Sequence, residues 1–74
     1  MAAERLTVSV DGVPVTLWRG ARVKDALVNA AGSSRLVRLV EAGTHTVMDE
    51  DLRAEVNLGG ALYAGQRLRI DRRG

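Results

Sequence analysis

The sequence is 74 residues long, with a formal net charge of +2 and no cysteine. This leaves room for one domain, residues 1–74, around one small core, and excludes a disulfide scaffold, a cysteine-ligated zinc or iron–sulfur centre and a thiol nucleophile. No apolar run approaches the roughly 18 residues of a membrane span, and no hydrophobic leader segment follows the charged start at residues 1–5, so a soluble, cytoplasmic protein is expected.

Leu6, Val8 and Val10 alternate with Thr7 and Ser9, the period-two pattern of a strand with one buried face. Asp11-Gly12 then reads as a two-residue hairpin turn of type I′, which needs positive φ at both positions. Val13, Val15 and Leu17 continue the alternation on a second strand. Pro14 has no N–H to give a ladder, so this strand belongs at a sheet edge, or Pro14 sits at its very start. Trp18 is read as breaking the alternation and lying as a lid over the core. Exposed beside Arg19 and Arg22, it would instead mark an interface anchor. Residues 5–18 are thus predicted to form a β-hairpin.

Val23, Ala26, Leu27 and Ala30 fall on one face of a helix over residues 22–31, with Lys24, Asp25 and Asn29 away from it. No Ser, Thr, Asp or Asn caps its start, while Gly32 supplies a left-handed stop. Ser34 and Gly43 bracket a second apolar run of Leu36, Val37, Leu39 and Val40. Its period alone fits a short helix or a buried strand, and the end signals favour the helix. Residues 44–48 are rich in β-branched side chains and read as a strand. Asp49-Glu50-Asp51 reads as a turn, and Ala54, Val56 and Leu58 as a returning strand stopped by Gly59-Gly60. Residues 61–65 form a loop or a single helical turn. Residues 66–70 alternate once more, and Asp71 to Gly74 form a polar tail. This order predicts an α+β fold: a mixed sheet of four to five strands packed on one main helix, with a second short helix. The first and last strands should lie parallel at the sheet centre, because the helical region supplies the long crossover that a parallel pair requires.

That order resembles the β-grasp, ubiquitin-like superfold, and several strings resemble its members. Residues 8–15, Val-Ser-Val-Asp-Gly-Val-Pro-Val, are similar to the opening of bacterial sulfur-carrier proteins and β-grasp ferredoxins. Residues 19–27, Arg-Gly-Ala-Arg-Val-Lys-Asp-Ala-Leu, are similar to the start of their helix. Residues 58–70 look like the closing segment of sulfur carriers, TGS domains and soluble-ligand-binding β-grasp domains. The resemblance implies either a binding module or a carrier whose C-terminal glycine is activated. The chain departs from both chemical branches. Sulfur carriers end in Gly-Gly, and here Arg73 precedes Gly74. The ferredoxins need cysteines, and here there are none. Gln66 stands where an Asp usually follows the closing glycine.

The residues carry few other candidates. Arg holds every basic position except Lys24, and arginine suits bidentate recognition of carboxylate or phosphate. Arg67 and Arg69 share one face of the last strand. With Arg5 on the neighbouring first strand, they are the candidate binding residues for an acidic protein partner, with Arg72 and Arg73 nearby. The competing reading is a solvated outer sheet face. A net charge of +2 gives little long-range attraction, and Trp18 and Tyr63 are too few aromatics for a nucleic-acid stacking platform. Asp49, Glu50 and Asp51 lack the spacing of a calcium loop, and His45 has no companion ligand or nucleophile. No cofactor or catalytic residue is called for. The expectation is a non-enzymatic domain that binds a protein partner through its outer sheet face or a free edge. The alternatives are a carrier working through Gly74, and an accessory subunit or detached domain of a larger enzyme.

Overall fold

The alternating apolar residues form β1 (Arg5–Val10) and β2 (Val13–Trp18), paired antiparallel with Val10 opposite Val13 and Arg5 opposite Trp18. Asp11 and Gly12 have φ of 50° and 82°, as a type I′ turn requires. These positions come from a computed structural model that describes residues 4–73. Trp18 departs from the lid expectation. It stays in phase with Pro14 and Thr16 on the face away from the core and is 53% exposed.

Helix α1 (Val23–Ala31) buries Val23, Ala26 and Leu27 against the sheet and half-buries Ala30. The first turn of a helix leaves N–H groups without partners. Here Asp25 Oδ2 accepts Arg22 N–H at 2.8 Å, Arg22 O accepts Asp25 N–H at 2.9 Å, and a distant loop supplies two more acceptors. Gly60 O accepts Val23 N–H at 3.0 Å, and Leu58 O accepts Lys24 N–H at 2.9 Å. That borrowed cap explains how α1 starts without a capping residue. The approach is tight: a side chain at Gly60 would meet Asn57 O at 3.0 Å. At the other end Gly32, with φ of 70°, donates its N–H to Val28 O at 2.8 Å.

The second apolar run is a helix, α2 (Arg35–Glu41). Ser34 makes no side-chain cap; Ser33 Oγ accepts Arg35 N–H at 3.2 Å instead. Leu36, Val37 and Val40 pack at the rim of the core without being fully buried. The remaining strands are β3 (His45–Asp49), β4 (Ala54–Val56) and β5 (Arg67–Arg72). Together they give a five-stranded mixed sheet of order β2-β1-β5-β3-β4, with β1 and β5 parallel at its centre. The strand limits correct the sequence reading. Thr44 precedes β3 and Gln66 precedes β5. Asp49 is the last residue of β3, not a turn residue. Leu58 lies outside β4. Asp71 and Arg72 extend β5 opposite Thr46 and His45 and are not a tail.

Val8, Val10, Leu17, Leu27, Val47 and Leu68 are buried between the helices and the inner face of the sheet. The outer face carries exposed Thr7, Thr16, Arg67 and Arg69. Among the described residues, no helix is long and apolar enough to cross a membrane.

Candidate functional site

On the outer face, period-two geometry turns Arg67 and Arg69 to the side opposite Leu68. Register sets Arg69 beside Met48, which has Glu55 on its other flank. Met48, Arg67 and Arg69 border an open hollow of about 480 Å³, lined also by Asp49, Glu50 and Arg53. Two of its guanidiniums already hold carboxylates of the same chain. Arg67 pairs with Asp51, and Arg69 binds Asp71 through two nitrogens at 2.8 and 3.0 Å. These hydrogen bonds, and the negative charge behind them, hold both guanidiniums above their already high pKa. The hollow is therefore not a bare basic patch but a set of paired charges open to solvent. Exposed, solvent-screened pairs of this kind contribute little to stability, so they exchange partners at little cost.

Arg5 does not join this group. Ser9 is the β1 residue opposite Arg67, and Arg5 lies earlier on β1, roughly 13 Å away at about 3.3 Å per residue. It sits instead beside Trp18, at the end of the sheet where the 62–64 loop passes. Arg53, which sequence reasoning did not single out, takes its place in the hollow. It has φ of 54° at the end of the turn that leads into β4, a conformation unusual for a side chain of that size.

Directly behind the hollow lies a second feature absent from the sequence reading. Asp49 is fully buried, and its carboxylate accepts from four directions. Asp51 N–H and Leu52 N–H reach Oδ1 at 2.9 and 3.0 Å, while Tyr63 Oη and Gln66 Nε2 reach Oδ2 at 2.6 and 2.9 Å. Gln66, itself buried, turns its Oε1 back to accept Tyr63 N–H at 3.2 Å. One side chain thus clasps the end of β3, the 50–53 turn and the 61–66 loop. Burial pushes the Asp49 carboxyl up, but the bonds from Tyr63, Leu52, Gln66 and Asp51 outweigh it and hold the group below its ordinary value of 3.8. The same contact, with some burial and the nearby negative charge, pushes the Tyr63 hydroxyl up to about 12. Asp49 is therefore a fixed anion with its lone pairs occupied, built to hold loops in place.

The other candidates are scattered. His45 Nδ1 lies 2.9 Å from Thr44 Oγ1 at the far end of β3. Among the described residues, no group of His, Asp and Glu is placed to hold a metal ion. Arg72 closes the β5 ladder opposite His45. Arg73 is held to the body of the sheet, its N–H donating to Thr44 O at 2.8 Å and its guanidinium to Glu55 at 2.7 Å. Gly74 lies outside the described residues. No family model matches the chain, and neither curated proteins nor solved structures yield a match.

Proposed function

We propose that this chain is a small β-grasp-type domain of the cytoplasm that performs no chemistry of its own. It works by binding an acidic segment of a protein partner at the outer sheet face around Arg67 and Arg69. The β-grasp reading draws support from the strand order and from the parallel pairing of the first strand with the last across a helical crossover. The binding reading rests on one observation: Arg53, Arg67 and Arg69 line a single open hollow on the face that the helices leave uncovered. A partner's carboxylates would replace Asp51 on Arg67 and Asp71 on Arg69, whose guanidinium is already oriented for bidentate contact. The anchoring of Arg73 to Thr44 and Glu55 supports this reading over that of a carrier with an extended tail.

The test is cross-linking of the protein in its own host, followed by identification of the attached protein and an intact mass of the bare chain. Arg69→Glu is expected to lose the companion while keeping the urea midpoint of the unaltered chain. A companion retained by Arg69→Glu would remove the outer face from the proposal. A mass showing sulfur in place of oxygen at Gly74 would overturn it in favour of the carrier.

A further inference from the structure

The backbone groups that β2 turns to the open edge of the sheet follow from the ladder behind it. Ser9 N–H donates to Gln66 O at 2.9 Å, and Thr7 O accepts Gly65 N–H at 2.8 Å. Ser9 and Thr7 therefore direct their backbone groups toward β5 and the loop before it. Their antiparallel partners, Pro14 and Thr16, then direct theirs the opposite way, to the open edge. Trp18 follows by alternation. The edge thus offers Thr16 N–H, Thr16 C=O, Trp18 N–H and Pro14 C=O. Pro14 has no N–H, and Trp18 C=O already accepts Ala21 N–H at 3.2 Å.

These groups complement one another across a two-fold axis. With Thr16 opposite Thr16 of a second copy, Trp18 falls opposite Pro14. Thr16 N–H meets Thr16 C=O in both directions, and Trp18 N–H meets Pro14 C=O in both directions. The donor missing from Pro14 falls opposite the carbonyl that Ala21 has already satisfied. An axis at Pro14 would instead set two ring nitrogens against two carbonyls. An axis at Trp18 would aim its N–H groups at carbonyls that Ala21 already holds.

The side chains agree with the backbone. Edge strands are ordinarily blunted by charges or by proline; β2, Val-Pro-Val-Thr-Leu-Trp, carries no charge, and its one proline falls where the facing carbonyl is already satisfied by Ala21. Pro14, Thr16 and the exposed Trp18 share the outer face, so each indole would lie beside the other copy's Pro14. The opposite edge makes a contrast. Glu50 N–H donates to Arg67 O, so Met48, in the same phase, also faces β5. Glu55, opposite Met48, is then the β4 residue whose backbone faces outward, and it is charged.

We propose that the chain forms a symmetric dimer by antiparallel pairing of β2 with β2 of a second copy, centred on Thr16. The two sheets become one continuous sheet, and the hollow at Arg67 and Arg69 stays free on each copy. The proposal goes beyond the function proposed above and does not depend on it.

Sedimentation equilibrium of the full chain over a rising concentration series tests it. The expected mass is twice 8.0 kDa, with exchange of the Thr16 and Trp18 amide hydrogens slowing as the dimer forms. Thr16→Lys places two ammonium groups face to face across the axis and should weaken the dimer by about tenfold or more. Thr16→Val keeps the backbone donor and should dimerise like the unaltered chain. A mass of 8.0 kDa at every concentration would overturn the proposal. So would a dimer that Thr16→Lys leaves equally tight. Should Thr16→Lys fail to fold, amide exchange in the unaltered chain decides: a dimer that leaves Thr16 and Trp18 unprotected places the interface elsewhere.

Discussion

Around Leu27 the sheet and α1 meet through aliphatic side chains alone, with Val8, Val10, Leu17 and Val23 buried beside it. Around Asp49 the end of β3, the 50–53 turn and the 61–66 loop meet through hydrogen bonds to one carboxylate. The first joint is non-directional: its strength follows buried area, and any residue of similar shape and volume nearly serves. The second is directional: each bond fixes where one loop sits, and its strength depends on every donor finding its acceptor. Regular elements can be held by the first kind of joint because helix and strand geometry already fix their side chains. Two irregular loops meeting a strand end have no such internal register, and the carboxylate supplies it.

The largest effect should come from the apolar joint. Leu27 is fully buried at the middle of the α1 stripe, so Leu27→Ala is expected to destabilise the chain by about 2–5 kcal/mol in urea denaturation. Leu27→Met, which conserves volume, should cost less than about 1.5 kcal/mol. A loss for Leu27→Ala under about 0.5 kcal/mol, far below the cavity series, would mean that Leu27 is not the core plug.

A volume-conserving change at the polar joint should not be tolerated in the same way. Asp49→Asn keeps the shape but replaces one accepting oxygen with a donating NH2. Gln66 cannot turn to compensate without releasing Tyr63 N–H from its Oε1. A buried donor left without an acceptor costs roughly 1–3 kcal/mol, so Asp49→Asn should exceed Leu27→Met while falling short of Leu27→Ala. The sign of its pH dependence follows from the depressed carboxyl. Because the folded group ionises below its ordinary value of 3.8, its contribution is present above that pH and is lost as pH falls through the folded value. Urea midpoints of the two proteins should therefore differ at neutral pH and converge in acid. A constant difference across that range would detach the effect from the charge of Asp49.

The same contrast explains what could be read from the sequence. The hairpin, the α1 stripe and the second helix follow from apolar spacing and from Asp11-Gly12, Gly32 and Gly43, signals that lie within a few residues of each other, and the central parallel pair follows from the helical crossover between the first and last strands. The clasp joins positions far apart in the chain, and its members resemble turn residues when read locally. Asp49 looked like the first of an acidic turn, and Gln66 like the first residue of a strand. The sequence does hold one usable signal. Asp49 is in phase with buried Val47, and Gln66, just before β5, with buried Leu68, so each is a polar residue in phase with the core positions of a strand and calls for a partner. Most of the cap of α1 is hidden for a related reason: beside the local Asp25 carboxylate, the acceptors of Val23 and Lys24 N–H are backbone carbonyls of Gly60 and Leu58. Arg53 entered the hollow through the positive φ of a turn, which no residue pattern marked.

The smallest of these effects isolates a single strand of the clasp. Tyr63→Phe keeps the ring, 40% exposed in place, and removes only the hydroxyl that donates to Asp49 Oδ2. Asp49 still accepts from Gln66, Asp51 and Leu52, so the fall in urea midpoint should be smaller than for Asp49→Asn. The alkaline limb separates the hydroxyl from the ring. In the folded chain the bond to Asp49, together with burial and adjacent negative charge, moves the phenol from 10.0 to about 12. A group whose pKa is raised on folding contributes fully below its unfolded value, and the contribution disappears as pH climbs through the folded one. The unaltered chain should therefore lose stability between those two values more steeply than Tyr63→Phe, which has no hydroxyl to ionise. Parallel alkaline slopes would show that the Tyr63 hydroxyl adds nothing to the clasp, and that Gln66 and the two backbone donors alone hold the loops to β3.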